Sequence, residues 1–321
     1  MPRTLIRKNP SNFKTLPLFV EATPEGLTYQ SVGMPLNFTQ TLARRRKIDV
    51  KDSERFSTEL ANLGVSVRLT LRWQNRDYWV LVRQRRQDRG DVVLKLISGY
   101  VPAHELNLPL HTAVQEVAEE CLIETPQGWL GGRFNETWLP APYAAALHYR
   151  EAMPFRLTPL SGAALPVRCG SLTLIERPRA YVHLPTASLQ LIYDMRLEVP
   201  KEARPLSLFH VDESLENNEL VARLNRSKPD LYLMPLENGS PLPELYTLKN
   251  DKLSPAGTRG LYLAESFAPQ EGWVVREERI RWKDWLVQQG MTPKKKPKSG
   301  LTKLRIKARR LVRLVRSGLH K

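Results

Sequence analysis

Three carboxylates carry the chemistry this sequence offers most plainly. Glu116, Glu119 and Glu120 fall together in the run QEVAEEC. Upstream, Pro109 suits the first turn of a helix, where a missing N–H costs nothing, and Asn107 stands just before it. Leu110, Val114, Val117 and Cys121 then recur at spacings of four, three and four, a single apolar stripe. At about 100° per residue, that stripe centres roughly 140° away from the glutamates. A helix here buries one face and gathers three carboxylates on the other. Like charges within one turn repel by roughly a few tenths of a kcal/mol per pair. A hard divalent cation relieves that repulsion, and Mg²⁺ or Mn²⁺ suits an all-oxygen donor set. Taken alone, such a run is more simply a solvated acidic face.

The residues around it add a second signal. Gly99 is followed after five residues by Glu105, and nine more lead to Gln115-Glu116-Val117-Ala118-Glu119-Glu120-Cys121-Leu122-Ile123. The stretch Gly99–Ile123 resembles the Nudix box, whose pattern runs Gly, five residues, Glu, seven residues, Arg-Glu-apolar-any-Glu-Glu-any-Gly-apolar. Gln115 replaces the Arg that steadies the first helical glutamate in that family. Leu122 replaces the Gly, and two extra residues lengthen the loop near Leu106–Leu110, where insertion is cheap. Ser98-Gly99 stands where the family has paired glycines whose carbonyls help hold a metal, so Gly99 alone carries over.

The resemblance implies an α+β fold, with a mixed β-sheet flanked by helices as an α/β/α sandwich. It also implies a metal-dependent hydrolase cleaving a diphosphate linkage in a nucleoside diphosphate derivative. Glu116, Glu119 and Glu120 would be the metal-binding and catalytic residues, Gly99 a further metal ligand, and Glu105 a support for the loop. The altered box leaves a second reading open: a weak or inactive Nudix-fold module that binds a nucleotide or a partner without turnover.

The elements that must position this stretch are readable on both sides of it. Val65, Val67, Leu69, Leu71 and Trp73 alternate with polar residues, the mark of a half-buried strand. Asn75-Arg76-Asp77 turns the chain, Tyr78–Arg83 forms the next strand, and Asp91–Ile97 runs into Gly99. Arg83, Arg85 and Arg86, at the end of the second strand, are candidates to steady phosphates. Leu189 to Val199 alternates again, and Leu231–Leu236 reads as a last strand. The acidic stretch His210–Glu216 reads as the first turn of a helix continuing through Glu219–Leu224, and Glu213 and Glu216 are candidates for an additional carboxylate. Glu277–Gln289, with Ile280, Trp282, Trp285 and Leu286, predicts a closing helix ended by Gly290.

These elements place a Nudix-like domain at 65–290, interrupted by a proline- and glycine-rich insertion at about 124–186. Its aromatics, Trp129, Phe134, Trp138, Tyr143, Tyr149 and Phe155, either stack on a base or cover the sheet. Residues 1–64 read as an accessory segment with short strands at Leu16–Val20 and Gly26–Val32. Within it, Arg44-Arg45-Arg46-Lys47 reads more simply as a solvated basic turn than as a phosphate-binding patch.

A net charge of +16 looks like a nucleic-acid signature until it is located. Lys294 to Lys321 holds twelve Lys or Arg and no acid; removing those from 49 leaves 37 basic residues against 33 acidic ones, or +4. The charge excess is therefore a tail, 291–321, made of a linker and a basic amphipathic helix. It suits nucleic acid, an anionic membrane surface or an acidic protein, and the sequence does not choose among them. The two cysteines, Cys121 and Cys169, make no disulfide framework or zinc spacing. The N-terminus lacks the apolar core of a secretion signal and no run is long enough to span a membrane, so a cytoplasmic location is expected.

Overall fold

The computed structural model describes residues 2–9, 13–86, 90–217 and 219–291. The basic tail from Lys294 onward lies outside them. The chain divides into two units, Met1–Trp285 and Leu286–Lys321, and the site described below lies in the first.

The architecture is mostly β. A large mixed sheet holds the site, and the described α-helices are three short ones. In chain order, β1 is Arg3–Lys8, β2 Leu18–Thr23, β3 Gly26–Ser31, α1 Phe38–Arg44 and β4 Phe56–Leu60. Then come β5 (Asn62–Trp73), β6 (Arg76–Arg85), β7 (Val92–Lys95), β8 (Ile97–Tyr100) and α2 (Pro109–Glu120). Next are β9 (Cys121–Thr125), β10 (Gly128–Phe134), β11 (Tyr149–Pro159), β12 (Arg179–His183) and β13 (Ser188–Glu198). The set closes with β14 (Ser207–Glu216), β15 (Glu219–Leu224), β16 (Leu231–Glu237) and α3 (Trp282–Gln288).

The two alternating runs are the spine. β5 and β13 lie parallel, in register from Asn62 opposite Ser188 to Leu71 opposite Leu197. β5 turns into β6 through Gln74 and Asn75, both at positive φ, the two-residue hairpin whose twist matches the strands. The run expected as one strand into Gly99 is two. β7 pairs with β6, the chain breaks at Leu96, and β8 crosses to pair with β5, placing Gly99 opposite Val65.

Helix content falls short of the expected sandwich, and the reasons are local. The acidic stretch expected as a helix at 210–224 is a β-hairpin, β14 paired with β15. Val211 is buried there, and Val221, Ala222 and Leu224 are buried from the facing strand. β1 then pairs with β15, so the N-terminal residues extend the large sheet. The proline-rich insertion is also built of strands: β10 runs parallel to β11, β11 pairs with β13, and β12 pairs with β13. The closing helix is shorter than expected, because Arg279–Arg281 is a strand paired with Tyr262–Ala264.

β2, β3, β4 and Val167–Cys169 form most of a smaller sheet. Its buried residues Leu18, Val20 and Tyr29 share one core with Val65, Val67, Ala113, Val114 and Val117. That core clamps α2 by its apolar stripe and fixes where its acidic face points. Among the described residues, no helix is long and apolar enough to cross a membrane.

Candidate functional site

The loop that starts α2 is held from three directions. The Thr112 hydroxyl donates to Glu105 at 2.6 Å, His111 Nδ1 donates to it at 2.8 Å, and the Tyr29 hydroxyl donates to Leu106 O at 2.9 Å. Glu105 is buried, and these contacts occupy both of its oxygens. Its place is in the loop's frame rather than among the other carboxylates. Glu105→Gln leaves an amide hydrogen facing one of two donors, so it should lower stability by about 1–2 kcal/mol in urea unfolding. An unchanged midpoint would place the loop's anchorage elsewhere.

The far end of α2 is equally constrained. The Tyr143 hydroxyl donates to Glu119 O at 3.2 Å and His210 Nδ1 to Glu120 O at 3.3 Å, satisfying carbonyls a helix end leaves open. Burial and nearby Lys95 hold His210 down at about 4, so its ring is neutral at pH 7. Cys121 then leaves directly into β9, which pairs with β14. With side chains from a turn and from β14 capping the helix, the glycine of the family pattern has no turn to make here.

Between these anchors the glutamates differ sharply from one another. Glu116 lies against Gly99, and a methyl group added at Gly99 would overlap its carboxylate. Burial, then Glu120 and Glu119, holds the Glu116 carboxyl well above the usual carboxylate range. Glu120 is buried, with Oε1 at 3.2 Å from Lys95 Nζ and Oε2 without a hydrogen-bond partner. Lys95 also donates to Ser98 Oγ at 2.9 Å and Ser98 O at 3.2 Å. Glu119, on the other side of the turn, has Lys8 Nζ at 3.8 Å. Burial raises both carboxyls, opposed by Lys95 at Glu120 and by Lys8 at Glu119.

Glu213, from β14, completes the group; burial, then Glu119 and Glu120, pushes it up to about 7. All four carboxylates and both lysines line one cavity of about 890 Å³. Carboxylates crowded together in this way are a place where a bound cation would relieve repulsion. The buried, unpartnered Glu120 Oε2 and the cradle that a Gly99 side chain would fill also fit a hard cation's preference for oxygen. As placed, the carboxylates do not converge on one point: among the described residues no three His, Cys, Asp or Glu form a ready-made metal cluster.

Several expected residues lie elsewhere. Glu216 pairs with Arg223 across the β14–β15 hairpin. Arg86 lines the cavity but is bound to Asp91 at 2.6 Å and Glu265 at 3.0 Å. Arg83 hydrogen-bonds Tyr232, and Arg85 lines the cavity. Gln115 turns to His111, at 3.3 Å, rather than to Glu116. None of the insertion's aromatics lines the cavity: Trp129 and Tyr143 form a second core with Phe209, and Phe155 is buried. The cavity's rings are Phe13, Phe38 and Tyr100.

Lys8, Lys95 and Gln190 also line it and were not expected there, and so does Arg45 from the basic cluster read as a solvated turn. Lys95 had a readable signal, a single charge inside the apolar run VVLKLI. A lysine there needs a buried partner. Lys8 had none, because only the pairing of β1 with β15 brings it near α2.

No protein-family model matches this chain, and no curated protein matches it.

Proposed function

We propose that the protein is a Nudix-type, metal-dependent hydrolase that cleaves a diphosphate linkage in a nucleoside diphosphate derivative, and that the α2-bearing sheet is a Nudix-like core. One observation carries the reading: Glu116, Glu119 and Glu120 share one helix face in a cavity large enough for a nucleotide, with Glu116 set against Gly99. Glu116, Glu119 and Glu120 would hold Mg²⁺ or Mn²⁺, and Gly99 lends its backbone. When bound, the ion neutralises phosphate charge and lowers the pKa of an attacking water. Lys95 orients Glu120, while Lys8 and Arg85 place positive charge along the cavity for phosphate oxygens. In-line displacement then rests on positioning and electrostatics.

Glu213 is the candidate proton acceptor, since a carboxyl near 7 suits proton transfer at neutral pH. Its base form is the deprotonated one, so kcat/KM should rise with pH through about 7 at low metal. Saturating metal should move that limb to lower pH, because a nearby cation favours the carboxylate. Glu213→Gln should lower the rate and flatten the limb. A limb that survives in the variant would assign it to another group. The reading itself is tested with purified protein on ADP-ribose, dinucleoside polyphosphates, nucleotide sugars and nucleoside triphosphates, with and without Mg²⁺ or Mn²⁺. No metal-dependent turnover on any of them would overturn it.

A second reading, a binding module without turnover, is favoured by the attachment of Gln115 to His111 instead of Glu116. Gln115→Arg separates the two. A faster rate marks an enzyme weakened at this position, and continued silence across the panel marks a binding module.

A further inference from the structure

The cavity extends past the carboxylates onto the opposite face of β8 and β5. Tyr100 on β8 and Gln190 on β13 both sit opposite Gly64 of β5, so the three form one row across adjacent strands. At about 4.8 Å between strands, the Tyr100 and Gln190 backbones stand about 10 Å apart with a glycine between them. Tyr100 makes the side wall, with Arg45 Cζ at 4.6 Å over its ring and Phe38 at 6.5 Å between ring centroids. Arg45 is itself held by Asn62 Oδ1 at 3.3 Å. Gln190 makes the floor: its Oε1 lies where a Gly64 side chain would be, 2.5 Å from an added Cβ.

The orientation of that amide is fixed from below. Glu277 O can only accept, so His183 Nε2 donates to it at 3.3 Å, and Nδ1 accepts the Thr186 hydroxyl hydrogen at 2.6 Å. Thr186 then accepts from Ser188 at 2.9 Å, and Ser188 accepts from Gln190 Nε2 at 3.1 Å. His183, Thr186 and Ser188 are all buried. One amide hydrogen is spent on this chain. The acceptor Oε1 and the second N–H remain as an adjacent acceptor and donor at the cavity floor.

We propose that this compartment binds the nucleobase of the ligand, with Gln190 reading a base edge that carries a donor beside an acceptor. This deepens the hydrolase reading and rests on it for the chemistry at the other end. A flat wall of ring and guanidinium favours a π-face over a sugar or an alkyl chain. A carboxamide of defined polarity pairs two-point with a base edge, the geometry by which Gln recognises adenine elsewhere. The position agrees, because Tyr100, Gln190 and the carboxylates line one continuous cavity. A base here leaves its phosphates at the carboxylates.

The test is equilibrium binding by calorimetry, with the full chain in EDTA so that turnover plays no part. The probes are AMP, CMP, GMP, UMP and ribose 5-phosphate. At least one nucleotide should bind tenfold or more tighter than the sugar phosphate. Gln190→Leu and Gly64→Ala, which drives the amide off its floor, should each erase most of that advantage while leaving ribose 5-phosphate binding unchanged. Gln190→Glu keeps the shape and removes the donor, and serves if the other variants melt early. Equal affinity for the sugar phosphate and all four nucleotides overturns the proposal, and so does a preference untouched by folded Gln190 variants. A base preference without metal-dependent turnover sinks the hydrolase reading alone, and turnover without base preference sinks this subsite alone.

Discussion

Glu116→Gln is expected to make the protein more stable and the site inert. Burial is the first cause of the raised Glu116 carboxyl, followed by the like charges of Glu120 and Glu119 beside it on α2. A glutamine keeps the shape against Gly99 and removes the charge. In metal-free buffer at pH 7.5 the melting temperature should rise by on the order of a few degrees. The pH dependence fixes the cause. The folded-state pKa is raised, so the wild-type carboxyl's contribution is fully present below its unfolded value of 4.5 and is lost as pH rises through the folded one. The gap between variant and wild type should therefore be absent near pH 4 and widen toward pH 8. Metal affinity should fall together with turnover, the latter by about a thousandfold, equivalent to about 4 kcal/mol of lost transition-state stabilisation. Glu120→Gln is the contrast: burial raises that carboxyl too, but Lys95 opposes it at 3.2 Å, so the same substitution should raise the melting temperature by less. Two substitutions four residues apart, identical in chemistry, should thus move the melting temperature by different amounts. Equal shifts would mean that the glutamates share one environment.

That contrast marks the limit of what the sequence makes legible. The helix itself can be read from Pro109 and the stripe Leu110, Val114, Val117, Cys121, because burial on one face imposes its period on the residues. The alternation at 65–73 and around 189–197 is readable for the same reason, and those segments are the parallel pair at the centre of the large sheet. The three glutamates look interchangeable in a one-dimensional pattern. Their partners come from Lys95 on β7, Lys8 on β1 and Gly99 on β8, and no local spacing encodes those meetings.

The stretch 207–224 misleads because acids near the start of an apolar run satisfy helix and hairpin rules alike. What decides is that Cys121–Glu124 needs a neighbouring strand, and Ser207–His210 supplies it. The insertion's aromatics mislead in a related way. Rings that fit a base also fit a core, and Trp129 packs edge-on against Phe209 at 5.8 Å. The cavity's own rings come from Phe38 and Tyr100, whose chain separation hides that they meet.

Gly99 gives the second large effect. Glycine is required there by the carboxylate stacked on it rather than by an unusual turn, since its φ is not positive. In Gly99→Ala the new methyl and the Glu116 carboxylate compete for one volume. If α2 moves away from β8, Ala113, Val114 and Val117 lose their fit against Val65 and Val67. If Glu116 swings out instead, the helix stays seated and the carboxylate cluster is broken. Either response removes metal binding, and the first adds a stability cost of about 1–3 kcal/mol, typical of overpacking a filled core. A double-mutant cycle with Glu116→Ala isolates the contact. Gly99→Ala should be costly in the wild-type background and nearly free once the carboxylate is gone, giving a coupling of about 1–2 kcal/mol in urea unfolding. Strictly additive costs would mean that the two residues do not share that space, and the placement of the first helix carboxylate against the strand would have to be abandoned.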